Sequence, residues 1–135
     1  MLRFEKDTET RKSRRTAEPA GVYRKALTDS LSTVATELID LLGPTLTVAL
    51  TGVKDRKQPY RWASQASTPR HETENRLRIA YRIVLFLREA ENDHVIRAWF
   101  IGGNPNLNED TPITAVREGR DLEVIAAAQH FVNAG

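Results

Sequence analysis

Cysteine is absent from the 135-residue sequence, and methionine occurs only once. Without cysteine the chain has no disulfide and no thiolate nucleophile, and zinc sites with sulfur ligands are excluded. Long apolar runs are also missing: none approaches the about 18 residues typical of a membrane-spanning helix, and the opening MLRFEKDTETRKSRR is charged throughout. We therefore expect no membrane segment, no signal peptide and a cytoplasmic location.

Sequence patterns of common enzyme sites are missing as well. The three histidines, His71, His94 and His130, lie far apart and show no HExxH or other metal-ligand spacing. There is no G-x-S-x-G nucleophile elbow, no P-loop and no dinucleotide-binding fingerprint. We expect no catalytic residue, no metal site and no cofactor, and so a binding protein rather than an enzyme. A catalytic carboxylate pair assembled only by the fold is an alternative that stays open.

Basic residues are concentrated in two parts of the chain, although the formal net charge is only +2. The first group is Arg11, Lys12, Arg14 and Arg15. The second group is Lys54, Arg56, Lys57, Arg61, Arg70, Arg76, Arg78 and Arg82. The only acids in that second stretch are Asp55, Glu72 and Glu74. A polyanion is therefore a candidate partner, and a solvated helix face is the alternative.

Apolar residues recur at helical spacing over most of the chain, and no segment alternates with period two. We therefore predict an all-α fold, a small helical bundle. One amphipathic helix is predicted from about Leu27 to Leu42, where Gly43-Pro44 ends it. The longest helix, over about 73–92, is apolar around much of its circumference and is expected at the centre of the core. Residues 1–20 lack an apolar period and are predicted to be a disordered basic arm.

Turn and cap residues delimit the rest of the chain. A helix from His94 to Ile101 is predicted to stop at Gly102-Gly103, and a short helix to begin at Thr111-Pro112 and close at Gly119. Asp121 is expected to cap a last helix with the apolar residues Leu122, Val124, Ile125, Ala128, Phe131 and Val132. We predict a helix-turn-helix-like region over 21–72 and a compact helical domain over 73–135.

The segment around Gly52 is typical of a helix-turn-helix, in which the second helix presents polar residues to the major groove of DNA. A second short helix, capped by Asp55, is predicted through Trp62, with Val48, Ala49, Val53 and Trp62 on the internal face. Arginine and lysine suit guanine edges and phosphates, and glutamine suits adenine. The predicted DNA-binding residues are Lys54, Arg56, Lys57, Gln58, Tyr60, Arg61 and Arg70. The alternative is a structural helical hairpin with a charged exterior.

The run AWFIGGNPNL at residues 98–107 is followed by Thr111-Pro112-Ile113, Gly119-Arg120 and Val124-Ile125. This order resembles the toxin-binding domain of Xre/ParS-type antitoxins, in which a tryptophan-bearing helix runs into an N-P-x-L turn, a short helix opened by a proline, and a glycine. Upstream, residues 61–69 and 76–81 resemble the segment that links the family's helix-turn-helix to that domain. The likeness covers roughly residues 30–133.

The resemblance implies an antitoxin that neutralises a RES-domain toxin, which is an NAD-consuming enzyme, and that represses its own operon by binding operator DNA as a homodimer or with the toxin. Residues 73–135 are then the toxin-binding domain, whose last helix is expected to cover the NAD site of the toxin or its entrance. The implied toxin-binding residues are Trp99, Asn104, Pro105, Leu107, Val124, Gln129, His130 and Phe131. For Trp99 a core position is the alternative. A second hypothesis is a stand-alone transcriptional regulator whose C-terminal domain only dimerises.

Overall fold

The computed structural model describes residues 19–134, and within them it contains α-helices, one 3-10 turn and no strand. The helices are α1 (Ala20–Thr28), α2 (Leu31–Thr51), α3 (Gln58–Ala63), α4 (His71–Leu87), α5 (Asp93–Ile101), α6 (Pro112–Arg117) and α7 (Asp121–Ala134). The 3-10 turn, Pro105–Leu107, lies between α5 and α6. The all-α prediction is confirmed. The predicted arm falls almost entirely outside the described residues.

Helix α4 lies at the centre of the core, as its apolar circumference predicted. It packs against α1, α2, α6 and α7, and the side chains of Leu77, Val84 and Leu87 are 0% exposed. Full burial of such a side chain stabilises the fold by about 1.5–3 kcal/mol. The helix ends at Leu87, five residues before the predicted limit, because the amides of Glu89 and Ala90 bond to carbonyls three residues back in a tighter turn. Asn92 then caps the next helix by accepting a hydrogen bond from the Val95 amide. The predicted division at residues 72 and 73 stays a prediction, since α4 contacts helices on both sides of it.

The predicted helix from Leu27 to Leu42 is two helices, and this part of the prediction was wrong. Ser30 separates α1 from α2, and its hydroxyl accepts a hydrogen bond from the amide of Thr33 at 3.1 Å. The predicted stop at Gly43 is a break within α2, where φ is 85° and ψ is 163°. Pro44 then starts a new helical run because its missing N–H costs nothing at a helix start. The second run ends at Gly52, whose φ of 80° lies in the left-handed region.

By length and composition alone, α2 is apolar enough to cross a membrane, with a mean hydropathy of 1.3. The core helix of a soluble protein passes the same test, and α2 packs here against α3, α4 and α6. Val34, Leu38 and Leu50 are 0% exposed in these contacts. A single helix of this kind is weak support for a membrane span, and the expectation of no membrane segment stays a prediction.

Candidate functional site

The second run of α2 and helix α3 form a helical hairpin around Gly52. Trp62, 3% exposed, and Pro59 lie buried inside it, and Val48, Ala49 and Val53 are partly buried. Pro59 fits a buried position near the start of α3 because a proline needs no hydrogen-bond partner for its nitrogen there. Of the predicted internal face only Trp62 is fully buried, and the second run of α2 buries Thr47, Leu50 and Thr51 instead.

The connection between the two helices is longer than predicted. The Asp55 carboxylate accepts a hydrogen bond from the Lys57 amide at 2.9 Å, and the Asp55 carbonyl accepts one from the Gln58 amide. Asp55 therefore closes a turn, and α3 begins only at Gln58 and has six residues. A helix-turn-helix ordinarily has a turn of about 3–4 residues. The hairpin thus has the general arrangement of that motif with a longer connection and a short second helix.

The hairpin presents most of the predicted DNA-binding residues to solvent. We call the exposed set Lys54, Arg56, Lys57, Tyr60, Arg61 and Arg70 the basic surface. Lys54, Arg56, Lys57 and Tyr60 line one shallow hollow, and Lys54 shares a second groove with Arg70. Gln58 differs from the others, because it is half-buried and its side-chain oxygen accepts a hydrogen bond from the Ser67 hydroxyl at 3.3 Å.

Three arginines of the predicted cationic stretch serve the packing of α4 instead. Arg76 donates a hydrogen bond to the Thr51 carbonyl. Arg78 pairs with Glu74 and donates to the carbonyls of Ala26 and Asp29 at the end of α1. The guanidinium of Arg82 lies 4.5 Å from the centre of the Tyr23 ring. The cationic stretch is therefore divided into an exposed part before α4 and a structural part within it.

One basic residue near the hairpin was missed by the sequence analysis. A β-carbon on Gly52 would lie 3.6 Å from Cγ of Arg117, which is an exposed residue at the end of α6. Arg117 follows the hairpin by more than fifty residues in the sequence, and no local pattern connects the two. The fold thus adds a cation of α6 beside the turn.

The residues of the N-P-x-L turn mostly shape the backbone. Asn104 is 9% exposed, its side chain accepts a hydrogen bond from the Asn106 amide at 2.9 Å, and its backbone bonds to Leu107, Glu109 and Asp110. Pro105 opens the 3-10 turn and is exposed. Leu107 is 0% exposed, so its predicted contact with a toxin is corrected to a core position.

Trp99 belongs to α5, faces Phe131 of α7 and is 8% exposed, so the core alternative describes its place in this fold. Its ring meets Phe100 edge-on at 5.2 Å and Phe131 at 6.3 Å between centroids. The indole N–H is buried and has no hydrogen-bond partner among the described residues. Such an orphaned donor costs free energy and is uncommon in native cores.

The last helix presents a different set of residues from the predicted one. Val124 is 0% exposed, because it faces the core, and its predicted contact with a toxin is corrected to a packing role. His130 is exposed, and Gln129 and Phe131 are half-buried. Leu122 belongs to the apolar residues predicted for this helix, but the structure leaves it 84% exposed. We call Leu122, Ala126, Gln129 and His130 the C-terminal surface; their spacing of three and four places them on one side of α7.

Arg120 holds this part of the fold together. It forms ion pairs with Glu123 at 2.7 Å, Asp110 at 2.8 Å and Glu118 at 3.3 Å. The hydrogen bond to Glu123, followed by the one to Asp110, raises the pKa of this guanidinium above its ordinary value. The pairs connect the turn after α5 to the first turn of α7. Gly119 precedes this arginine with a φ of 74°, as the predicted close of α6 requires.

Within residues 19–134, no group of three or more histidine or acidic side chains is arranged to hold a metal ion. Comparison of the chain with protein-family models, with curated proteins and with solved structures finds no match. The antitoxin resemblance therefore stays a prediction from the motif residues.

Proposed function

We propose that this protein is a non-catalytic antitoxin that binds operator DNA through the basic surface and a RES-domain toxin through the C-terminal surface. The proposal combines the motif resemblance with the placement of charged and apolar residues in the fold. The exposed cations of the basic surface carry it, because they are clustered around the hairpin and form no ion pair with the described residues.

Pairing of charges separates the basic surface from the cations that hold the helices together. Lys25, Arg78, Arg88 and Arg120 each form an ion pair with a nearby carboxylate. The side chains of Lys54, Arg56, Lys57, Arg61 and Arg70 form no ion pair with any described residue. A closely spaced set of unpaired cations raises the local potential and attracts a polyanion. Duplex DNA supplies regularly spaced phosphates for such a set.

Tyr60 adds a second feature of nucleic-acid surfaces. It is 52% exposed and shares the hollow with Lys54, Arg56 and Lys57. Tyrosine hydroxyls are common donors to DNA phosphates. The short α3 carries Tyr60 and Arg61 on its solvent side while Trp62 fixes the other side in the core. Side chains on a helix fixed in this way keep a constant position relative to a bound duplex.

The C-terminal surface supports the toxin half of the proposal. A leucine side chain that is 84% exposed contributes little to the stability of the isolated fold. Its burial in a complex would remove this apolar area from water and stabilise the complex. Leu122, Ala126 and His130 form a continuous strip along α7. In the proposed complex this strip covers the NAD site of the toxin or its entrance.

Co-expression tests the toxin half directly. The open reading frame adjacent to this gene is expressed alone and then with the full chain, and cell growth and NAD content are measured. We expect growth arrest with loss of NAD, and rescue of both by this chain. Arrest without rescue, or no arrest, would overturn the antitoxin proposal and favour a stand-alone regulator.

A further inference from the structure

A groove of about 600 Å³ opens between the turn of the hairpin and the start of α4. Its walls come from two separate parts of the chain, residues 51–62 and residues 67–76. The charged residues along it are Lys54, Asp55, Arg70, Glu72 and Arg76. Cations thus outnumber carboxylates in the lining, and the groove borders the basic surface through Lys54 and Arg70.

The first turn of α4 faces this groove with uncapped amides. Arg70 precedes the helix and makes no side-chain cap, and the first hydrogen bond of the helix runs from the Glu74 amide to the Arg70 carbonyl. The amides of His71, Glu72 and Thr73 therefore have no partner within the helix. The aligned peptide dipoles of this 17-residue helix also place positive charge at its start. Both properties favour an anion.

Thr73 provides an independent sign of a ligand. Its side chain lines the groove and is only 7% exposed, yet its hydroxyl forms no hydrogen bond with any described residue. The hydroxyl oxygen itself is reached by solvent, because among the described residues only Trp99 Nε1 is a buried side-chain nitrogen or oxygen without a partner. An acceptor oxygen placed in the groove would receive this O–H in place of water.

Three charged side chains near Thr73 differ in their effect on such an acceptor. Arg76 donates one N–H to the Thr51 carbonyl, and a guanidinium has further N–H groups. Asp55 is held by the Lys57 amide in its turn. Glu72 is exposed and lines the groove, so it opposes an anion by repulsion.

We propose that this groove binds a phosphate group, which accepts hydrogen bonds from the Thr73 hydroxyl and the first amides of α4 and is paired with Lys54 and Arg70. The proposal deepens the DNA half of the proposed function and rests on it. The phosphate is taken to be a backbone phosphodiester of the bound duplex. Bound there, the phosphate fixes the position of the duplex against the adjoining basic surface.

The test uses the full chain labelled with nitrogen-15 and titrated with inorganic phosphate, then with a short DNA duplex. We expect saturable shifts of the amide signals of His71, Glu72 and Thr73 with both probes. Thr73→Val keeps the shape of the side chain but removes the donor, and it should weaken phosphate binding roughly tenfold. Thr73→Ser should retain binding.

Two charge variants separate an anion site from a structural effect. Glu72→Gln should tighten phosphate binding several-fold, because it removes the opposing carboxylate, whereas mere damage to the helix would weaken binding. Glu109→Gln removes an equal negative charge at an exposed position outside the groove and should change phosphate binding less than twofold. Thermal unfolding of each variant checks that it is folded.

The outcomes distinguish failure of the groove proposal from failure of the proposed DNA-binding function. Absence of these amide shifts with both probes, or equal affinity of wild type and Thr73→Val, overturns the groove proposal even if DNA still binds elsewhere. Shifts with inorganic phosphate but no DNA binding support the phosphate site and overturn its assignment to DNA. Shifts with both probes that Thr73→Val weakens together support the proposal in full.

Discussion

Arg76 and Thr51 join the centre of the core to the hairpin: Nη1 of Arg76 donates a hydrogen bond to the Thr51 carbonyl across 2.9 Å. Thr51 is the last residue of α2, so this carbonyl belongs to the helix end that has no further amide to bond. A cation at that end also complements the negative end of the helix dipole. The orientation of the hairpin therefore depends on a residue 25 positions further along the chain.

Removal of this hydrogen bond should loosen the hairpin. We expect Arg76→Ala to lower the free energy of unfolding by about 1.5–3 kcal/mol, the range for a hydrogen bond to a charged group. Chemical unfolding followed by circular dichroism measures the change. Arg24→Ala, an exposed position on α1, is the matched control and should stay within about 0.5 kcal/mol of wild type. Equal stability of the two variants would contradict a structural role for Arg76.

Gly52 should tolerate substitution poorly. Its φ of 80° is costly for any residue with a β-carbon, so Gly52→Ala should destabilise the fold by about 1–2 kcal/mol. Gly21→Ala is the matched control, because Gly21 lies within α1 and a β-carbon there meets nothing within 4 Å. That control should be neutral or stabilising by up to about 1 kcal/mol. A harmless Gly52→Ala would mean that the hairpin turn adopts another conformation.

Acid should weaken the link between α1 and α4. The Tyr81 hydroxyl donates to the Asp29 carboxylate at 2.6 Å, and Lys25 pairs with the same carboxylate at 2.8 Å. The hydrogen bond to Lys25, followed by that to Tyr81, holds the pKa of Asp29 below its ordinary value of 3.8.

A lowered folded pKa means that this stabilisation is present above the unfolded pKa and is lost as the pH falls through the folded pKa. We therefore expect stability to decline below about pH 4, the ordinary range of an aspartate. Unfolding of wild type and Asp29→Asn from pH 6 to pH 2 tests this. The variant should show a shallower decline, and parallel curves would remove Asp29 from the acid response.

DNA binding should depend on the basic surface and on salt. Arg56→Ala and Arg61→Ala should each weaken binding and make the slope of log affinity against log salt shallower, by about 0.9 for each phosphate that the variant no longer neutralises. Fluorescence anisotropy with a labelled duplex measures both. Arg97→Ala, an exposed residue of α5, is the matched control and should behave as wild type. Binding that is absent, or insensitive to salt, would favour a purely structural hairpin.

Rescue from the toxin should depend on exposed residues of α7. Leu122→Arg should change stability by less than about 0.5 kcal/mol, since the side chain is 84% exposed, and should abolish rescue of growth. Val124→Asp also removes rescue, but through unfolding, because that side chain is 0% exposed. Circular dichroism separates the two causes. Full rescue by a folded Leu122→Arg would exclude the C-terminal surface from the mechanism.

The exposed residues of the C-terminal surface could not be predicted from the sequence. The prediction selected Val124 and Leu107 because they are apolar and belong to the motif, yet the fold buries both. Leu122 shares their chemistry, and no local pattern shows that its side chain points to solvent. Burial is decided by which elements pack against α7, mainly α4, α6 and the 3-10 turn.

The sequence by itself determined the features that depend on neighbouring residues. Helical spacing, the break at Gly43, the left-handed residues Gly52 and Gly119 and the cap at Thr111 follow from interactions within a few positions. The tertiary structure alone decided which cations are structural and which are exposed. Arg76 and Arg78 find their carbonyl partners 25 to 52 positions away, whereas Arg56 and Arg61 find none among the described residues. Hydrogen bonds between distant segments form only when the helices pack together, so local sequence patterns do not predict them.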